Sequence, residues 1–171
     1  MKVGAGNAEI MFQKELFPLE GFCGIHDLPK VSVLVIEEAQ KVAIVSIEIV
    51  MLWDDFIEKC RKAVAEITDT PPENVWIHVT HAITTPHAPG GPRIGLGGEV
   101  TEGKEDSEEA ELLKKRESYE NTIMHALQKA AEEAKAKAHS VWSFSSEDLL
   151  SSGRGGEMVF AVILRAEVAL A

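Results

Sequence analysis

The feature that most constrains this chain is a pair of apolar runs, Val31 to Ile36 and Lys41 to Val50, separated by Glu37-Glu38-Ala39-Gln40. Valine and isoleucine dominate both runs, and branched side chains pack well on a pleated surface. Two such runs around a short polar break predict a β-hairpin. Their nearly unbroken apolar character predicts strands covered on both faces.

Downstream the apolar period lengthens. Asp54 and Asp55 open a helix that reaches about Thr68, with Phe56, Ile57, Cys60, Ala63, Val64 and Ile67 on its stripe. The acidic start suits the helix dipole, and an aspartate is expected to cap the free amides. Pro71-Pro72 stops the helix, and Val75 to Thr80 reads as a strand. A long Gly- and Pro-rich loop runs from His81 to Glu105. A second helix spans about Glu108 to Lys137, with Ile123, Leu127, Ala130 and Ala134 in line and a fray or kink expected before Tyr119. Val141 to Phe144 and Met158 to Ala169 read as further strands. The order β-β-β-α-β-loop-α-β-β predicts one layered α/β domain over residues 1–171, a mixed β-sheet flanked by two main helices.

Charge narrows the function classes. The 171 residues carry a formal net charge of -11. A chain so acidic, with no basic stripe, is not expected to bind nucleic acid, whose phosphates it would repel. Glu99 to Glu111 reads as a solvated acidic segment. No apolar run is long enough for a transmembrane segment, and Met1-Lys2-Val3-Gly4 leads directly into strand-like sequence, so a cytoplasmic protein is expected. Cys23 and Cys60 make no disulfide framework and read as buried free thiols.

One stretch carries chemistry. Thr80-His81-Ala82-Ile83-Thr84-Thr85-Pro86-His87-Ala88-Pro89-Gly90-Gly91-Pro92 follows a strand, where ligand sites of open α/β sheets collect. His81 and His87 are separated by enough chain to converge on one point, and imidazole is a good zinc ligand. They are the candidate catalytic and metal-holding pair, although they supply at most two of the three protein ligands that a hydrolytic zinc site needs. Gly90 and Gly91 would let backbone amides approach an oxyanion or a substrate carbonyl. Against this stand plainer readings: surface histidines in a turn-rich loop, and a Gly-Gly that is a turn and nothing more. His78 and His81 point to opposite sides of an extended chain and are not a chelating pair.

Several motifs, in order, resemble the N-terminal part of the neutral/alkaline (non-lysosomal) ceramidase family. They are Val3-Gly4-Ala5-Gly6-Asn7-Ala8-Glu9-Ile10, Gly24-Ile25-His26-Asp27-Leu28-Pro29, Val45-Ser46-Ile47-Glu48, Thr70-Pro71-Pro72-Glu73-Asn74-Val75 and Val79-Thr80-His81. The likeness covers residues 3 to 144 and leaves 151–171 unmatched. It implies a shortened or degenerate relative of a zinc amidase that cleaves N-acyl sphingosines, with Zn²⁺ as cofactor and a small-molecule or lipid amide as substrate. By resemblance His81 is the first zinc ligand. Seven residues separate His81 from Pro89 where the family has four, so Ile83 falls at the second histidine position and His87 substitutes only if the loop folds back. Glu48 and His26 are candidates for a third ligand or an orienting group. For both, a solvated strand-end carboxylate and a turn-forming His-Asp pair are the plainer expectations. The family's other ligands follow the region of likeness. The alternative is therefore a non-catalytic scaffold or assembly domain that has lost them, and unpaired sheet edges in such a chain are expected to favour a homo-oligomer.

Overall fold

The computed structural model describes residues 1–89 and 106–140. The hairpin forms as β2 (Lys30–Glu37) and β3 (Lys41–Ile47), paired antiparallel from Val31 opposite Ile47 to Glu37 opposite Lys41. β1 (Lys2–Glu9) lies antiparallel to β2, and β4 (Val75–Val79) lies parallel to β3 after the crossover helix α1 (Asp54–Thr68). The long helix α2 (Asp106–Ala136) leads to the two-residue strand β5 (His139–Ser140), which pairs with Lys2 and Val3. The sheet order is β4-β3-β2-β1-β5, a mixed sheet with two main helices. The expected strands beyond Ser140 and the loop from Gly90 to Glu105 lie outside the described residues.

Both helices pack on one face of the sheet. Val31, Val33 and Val35 of β2 and Ala43, Val45 and Ile47 of β3 share a core with Phe56, Cys60 and Val64 of α1 and Ile123, Leu127 and Ala130 of α2. Among the described residues, both helices lie on this one face. Leu34, Ile36, Val42 and Ile44 are apolar too, but the strand period of two turns them away from the helices. Hydrophobicity alone does not distinguish a strand covered twice by helices from one with an apolar second face.

α2 lies directly on the backbone of β1. A Cβ added at Gly4 would stand 2.0 Å from the Ala134 carbonyl oxygen, and one at Gly6 would stand 2.2 Å from that of Ala130. Alanines on the helix and glycines on the strand therefore bring the two backbones into contact. Glu133 fastens the same junction, its carboxylate accepting the Asn7 amide at 2.9 Å and the Lys137 ammonium. The Lys137 bond, then the Asn7 bond, hold the Glu133 carboxyl below its ordinary value of 4.5. A carboxyl depressed in the folded state adds stability that is present above its unfolded pKa and is lost as pH falls through the folded one. Glu133→Gln is accordingly expected to lose less stability than wild type on acidification below about pH 4.5. Urea midpoints at pH 7 and pH 3.5 measure this, and parallel acid profiles would dissociate the carboxylate from the junction.

Two local expectations change. Trp53, not an aspartate, occupies the N-cap of α1 without a side-chain cap, while Asp54 and Asp55 stand in the first turn. Asp55 instead receives Arg116 of α2 at 2.8 Å. α2 runs unbroken through the expected kink, where Arg116 also bonds Glu120 at 2.7 Å. Cys60 is buried, its thiol pushed up to about 12 mainly by burial, whereas Cys23 is exposed and corrects the expectation of two buried thiols.

Candidate functional site

The parallel strands β3 and β4 deliver their carboxyl ends side by side, and the chain beyond β4 stays pinned to the chain beyond β3. The Thr80 amide donates to the Ile47 carbonyl at 3.0 Å and the Ala82 amide to the Ile49 carbonyl at 3.2 Å. The Thr85 hydroxyl closes a turn by accepting the Val50 amide at 2.9 Å and donating to the Ala82 carbonyl at 2.8 Å. The turn from Thr80 to Pro86 is thereby held through its main chain, so the side chains on it are presented from a fixed base.

His81 stands at the start of this turn with φ +56°, a left-handed conformation that a non-glycine residue adopts at some expense. Its ring Nδ1 lies 2.9 Å from the Val50 carbonyl oxygen. A carbonyl accepts and cannot donate, so Nδ1 carries the proton and Nε2 keeps its lone pair when the ring is neutral. His87, at the other end of the turn, is anchored by Glu20. Its amide donates to the Glu20 carboxylate at 2.9 Å and its Nδ1 lies 2.8 Å from the same oxygen. Both histidines are thus tethered by Nδ1, the arrangement that orients metal-ligating imidazoles in known sites.

A cavity of about 620 Å³ opens beside the strand ends. Phe12, Phe17 and Phe22 form an apolar wall, and His26, Asp27, Glu48 and Thr80 supply polar groups. His26 and Asp27 are almost fully exposed, with Nδ1 and carboxylate 3.1 Å apart. Glu48 is exposed and accepts the Lys30 amide at 2.9 Å. The cavity brings His26 and Glu48 to one surface, and His81 and His87 are not part of its wall. Gly90 and Gly91 lie outside the described residues.

The test of zinc is the donor set. Anchored imidazoles suit the ion, but among the described residues no three His, Cys, Asp or Glu side chains form a group able to hold a metal. The described residues therefore hold histidines fit to be ligands without completing a zinc site.

Sequence reasoning missed the supports of the site. Val50 and Glu20 lie 31 and 67 residues from the histidines they anchor, and no local pattern connects them. Tyr119 is a third support, donating its hydroxyl to the Pro86 carbonyl at 2.9 Å while its ring stacks on Phe12 at 4.7 Å between centroids. The regular placing of Phe12, Phe17 and Phe22 was the one local signal of an apolar wall.

No protein-family model matches the sequence, and no curated protein matches it significantly. No helix among the described residues is long and apolar enough to cross a membrane.

Proposed function

We propose that the chain has the chemistry of a zinc-dependent amide hydrolase of neutral-ceramidase type, acting in the cytoplasm on an N-acyl amide with a long apolar arm. The observation that carries this reading is the tethering of His81. A strained residue at the carboxyl end of a parallel strand has one ring nitrogen fixed to a carbonyl and the other left with its lone pair. Bound zinc supplies a water of lowered pKa and polarises a carbonyl. The work of this chain's own residues is to orient and to bind. Val50 sets the His81 tautomer, Glu20 sets that of His87, and the phenylalanine wall offers an apolar surface to the acyl arm. Glu48 and His26 line the polar side of the cavity, which supports a role for them at the amide end.

Elemental analysis of purified wild type and His81→Ala tests the reading. About one zinc per chain, lost in the variant, is expected. Metal-free protein, or zinc retained by His81→Ala, removes it. A second reading, a scaffold or assembly domain without catalysis, is favoured by the absence of a three-ligand group among the described residues. Incubating zinc-loaded chain with an N-acyl amide separates the two: release of fatty acid supports the hydrolase, and zinc bound without release supports the scaffold.

A further inference from the structure

The cavity beside the carboxyl ends of β3 and β4 has two unlike sides, and together they select a ligand. At about 620 Å³ it lies within the range of small-molecule sites, roughly 300–1,000 Å³. Phe17 and Phe22 are half-buried and Ile25 is 38% exposed, so apolar surface is on offer. Each methylene that such a surface takes out of water is worth about a 4-fold gain in affinity. Among the described residues, every fixed charge on the lining is negative: Asp27 and Glu48 belong to it, and no lysine or arginine does. Neither carboxylate is neutralised. Asp27 has His26 beside it and Glu48 accepts the Lys30 amide, but among the described residues no lysine or arginine side chain stands within ion-pair distance of either.

We propose that this cavity binds an N-acyl diamine, with the acyl arm on the phenylalanine side and the free ammonium group toward Asp27 and Glu48. The inference rests on the hydrolase reading above, which brings an N-acyl amide here, and it names the amine part. A neutral amine part would displace water from both carboxylates without replacing it, and a carboxylate head would meet two charges of its own sign. An ammonium group answers both, and the -11 of the whole chain draws cations toward it. The two acids are exposed, so each contributes little. Together they are worth about 10-fold, which sets the sign of the head group while the apolar side supplies the affinity. Thr80 and Ala82, on either side of His81 in sequence, also line the cavity, so a bound amide lies close to the residue proposed to hold zinc. Water cleaving its C–N bond would give a fatty acid and a diamine.

The test is isothermal titration of the full chain, freed of metal by chelation, with three matched octanoyl amides. Those of diaminopropane, aminopropanol and β-alanine carry a positive, a neutral and a negative head. At about pH 8 the free amine is charged and imidazoles are not. Wild type is expected to bind the diaminopropane amide about 10-fold more tightly than the aminopropanol amide, and the β-alanine amide most weakly, with the preference shrinking as salt is added. Asp27→Asn/Glu48→Gln, at two exposed sites, is expected to bind all three within about 3-fold of one another. Phe22→Ala is expected to weaken all three alike, by about 10-fold, with circular dichroism showing that it is folded. If it fails to fold, Ile25→Ala takes its place, since that side chain is partly exposed. Equal binding of the three amides by wild type, a preference that survives Asp27→Asn/Glu48→Gln, or no binding of any at about 1 mM overturns the proposal. The outcome is separate from that of the elemental analysis. Zinc at His81 without a head-group preference removes the diamine and keeps the hydrolase, whereas a preference in a chain that never holds zinc keeps the ligand and removes the hydrolase.

Discussion

Gly6→Ala is expected to destabilise the protein by about 3 kcal/mol, near the upper end of what overpacking costs. Intrinsic conformational preference points the other way: alanine in place of a strand glycine restricts the unfolded chain and by itself stabilises by about 0.4–1 kcal/mol. Space decides the sign. The new methyl carbon would lie 2.2 Å from the Ala130 carbonyl oxygen and 2.6 Å from the Ala134 amide nitrogen. Both are backbone atoms in the last two turns of α2, so no side chain can rotate aside. The helix must lift by about 1 Å, loosening the contacts of Ile123, Leu127, Ala130 and Ala134 with the sheet. Gly4→Ala meets the same helix, at 2.0 Å from the Ala134 carbonyl oxygen. One lift relieves both overlaps, so the double variant is expected to cost less than the sum of the singles. Gly24→Ala, where an added methyl meets nothing within 4 Å, is the control and should change stability by less than about 0.5 kcal/mol. Urea midpoints read the series. A Gly6→Ala protein as stable as wild type would show that α2 does not sit on β1 at this distance.

The same junction shows what a sequence can and cannot disclose. The hairpin, α1, β4 and α2 were legible because each is written in local period and punctuation: valine-rich runs about a polar break, helical spacing after Asp54-Asp55, a stop at Pro71-Pro72. Gly4 and Gly6 were visible only as parts of a strand motif, since the close approach they permit involves a helix over 120 residues later. Which face of β2 meets the helices was poorly marked for a related reason. Val31, Val33 and Val35 alternate with Ser32, Leu34 and Ile36, so a single serine is all that marks the parity turned away from the helices. At the candidate site, the sequence singled out the histidines but carried no sign of the groups that hold them. The Val50 carbonyl belongs to backbone, which any residue offers, and Glu20 resembles any other glutamate until the fold brings it to His87. Which residue is a histidine is a local property, whereas the orientation of its ring is set by tertiary contacts.

Those contacts make Tyr119→Ala the second large effect, expected at about 4 kcal/mol, as for removal of a buried aromatic ring. Tyr119 is fully buried, stacks on Phe12, and spends its hydroxyl on the Pro86 carbonyl. Burial, with the nearby Glu20 carboxylate adding to it, pushes the phenol above its ordinary value and favours the protonated, donating form. Tyr119→Phe separates packing from anchoring. The ring and its stack are kept, the buried Pro86 carbonyl loses its donor, and a cost of about 1–3 kcal/mol is expected. The local consequence distinguishes the bond from generic packing. Pro86 joins the Thr85 turn, which carries the Val50 bond, to the His87 amide bonded to Glu20. Released from α2, this segment opens more often, and hydrogen exchange at the His87 amide is expected to quicken by more than global stability loss explains. If zinc binds at His81 as proposed, Tyr119→Phe should weaken its retention while leaving the ligand atoms in place. Wild-type exchange at His87 in a destabilised Tyr119→Phe would mean that the hydroxyl holds the core together without positioning the histidine loop.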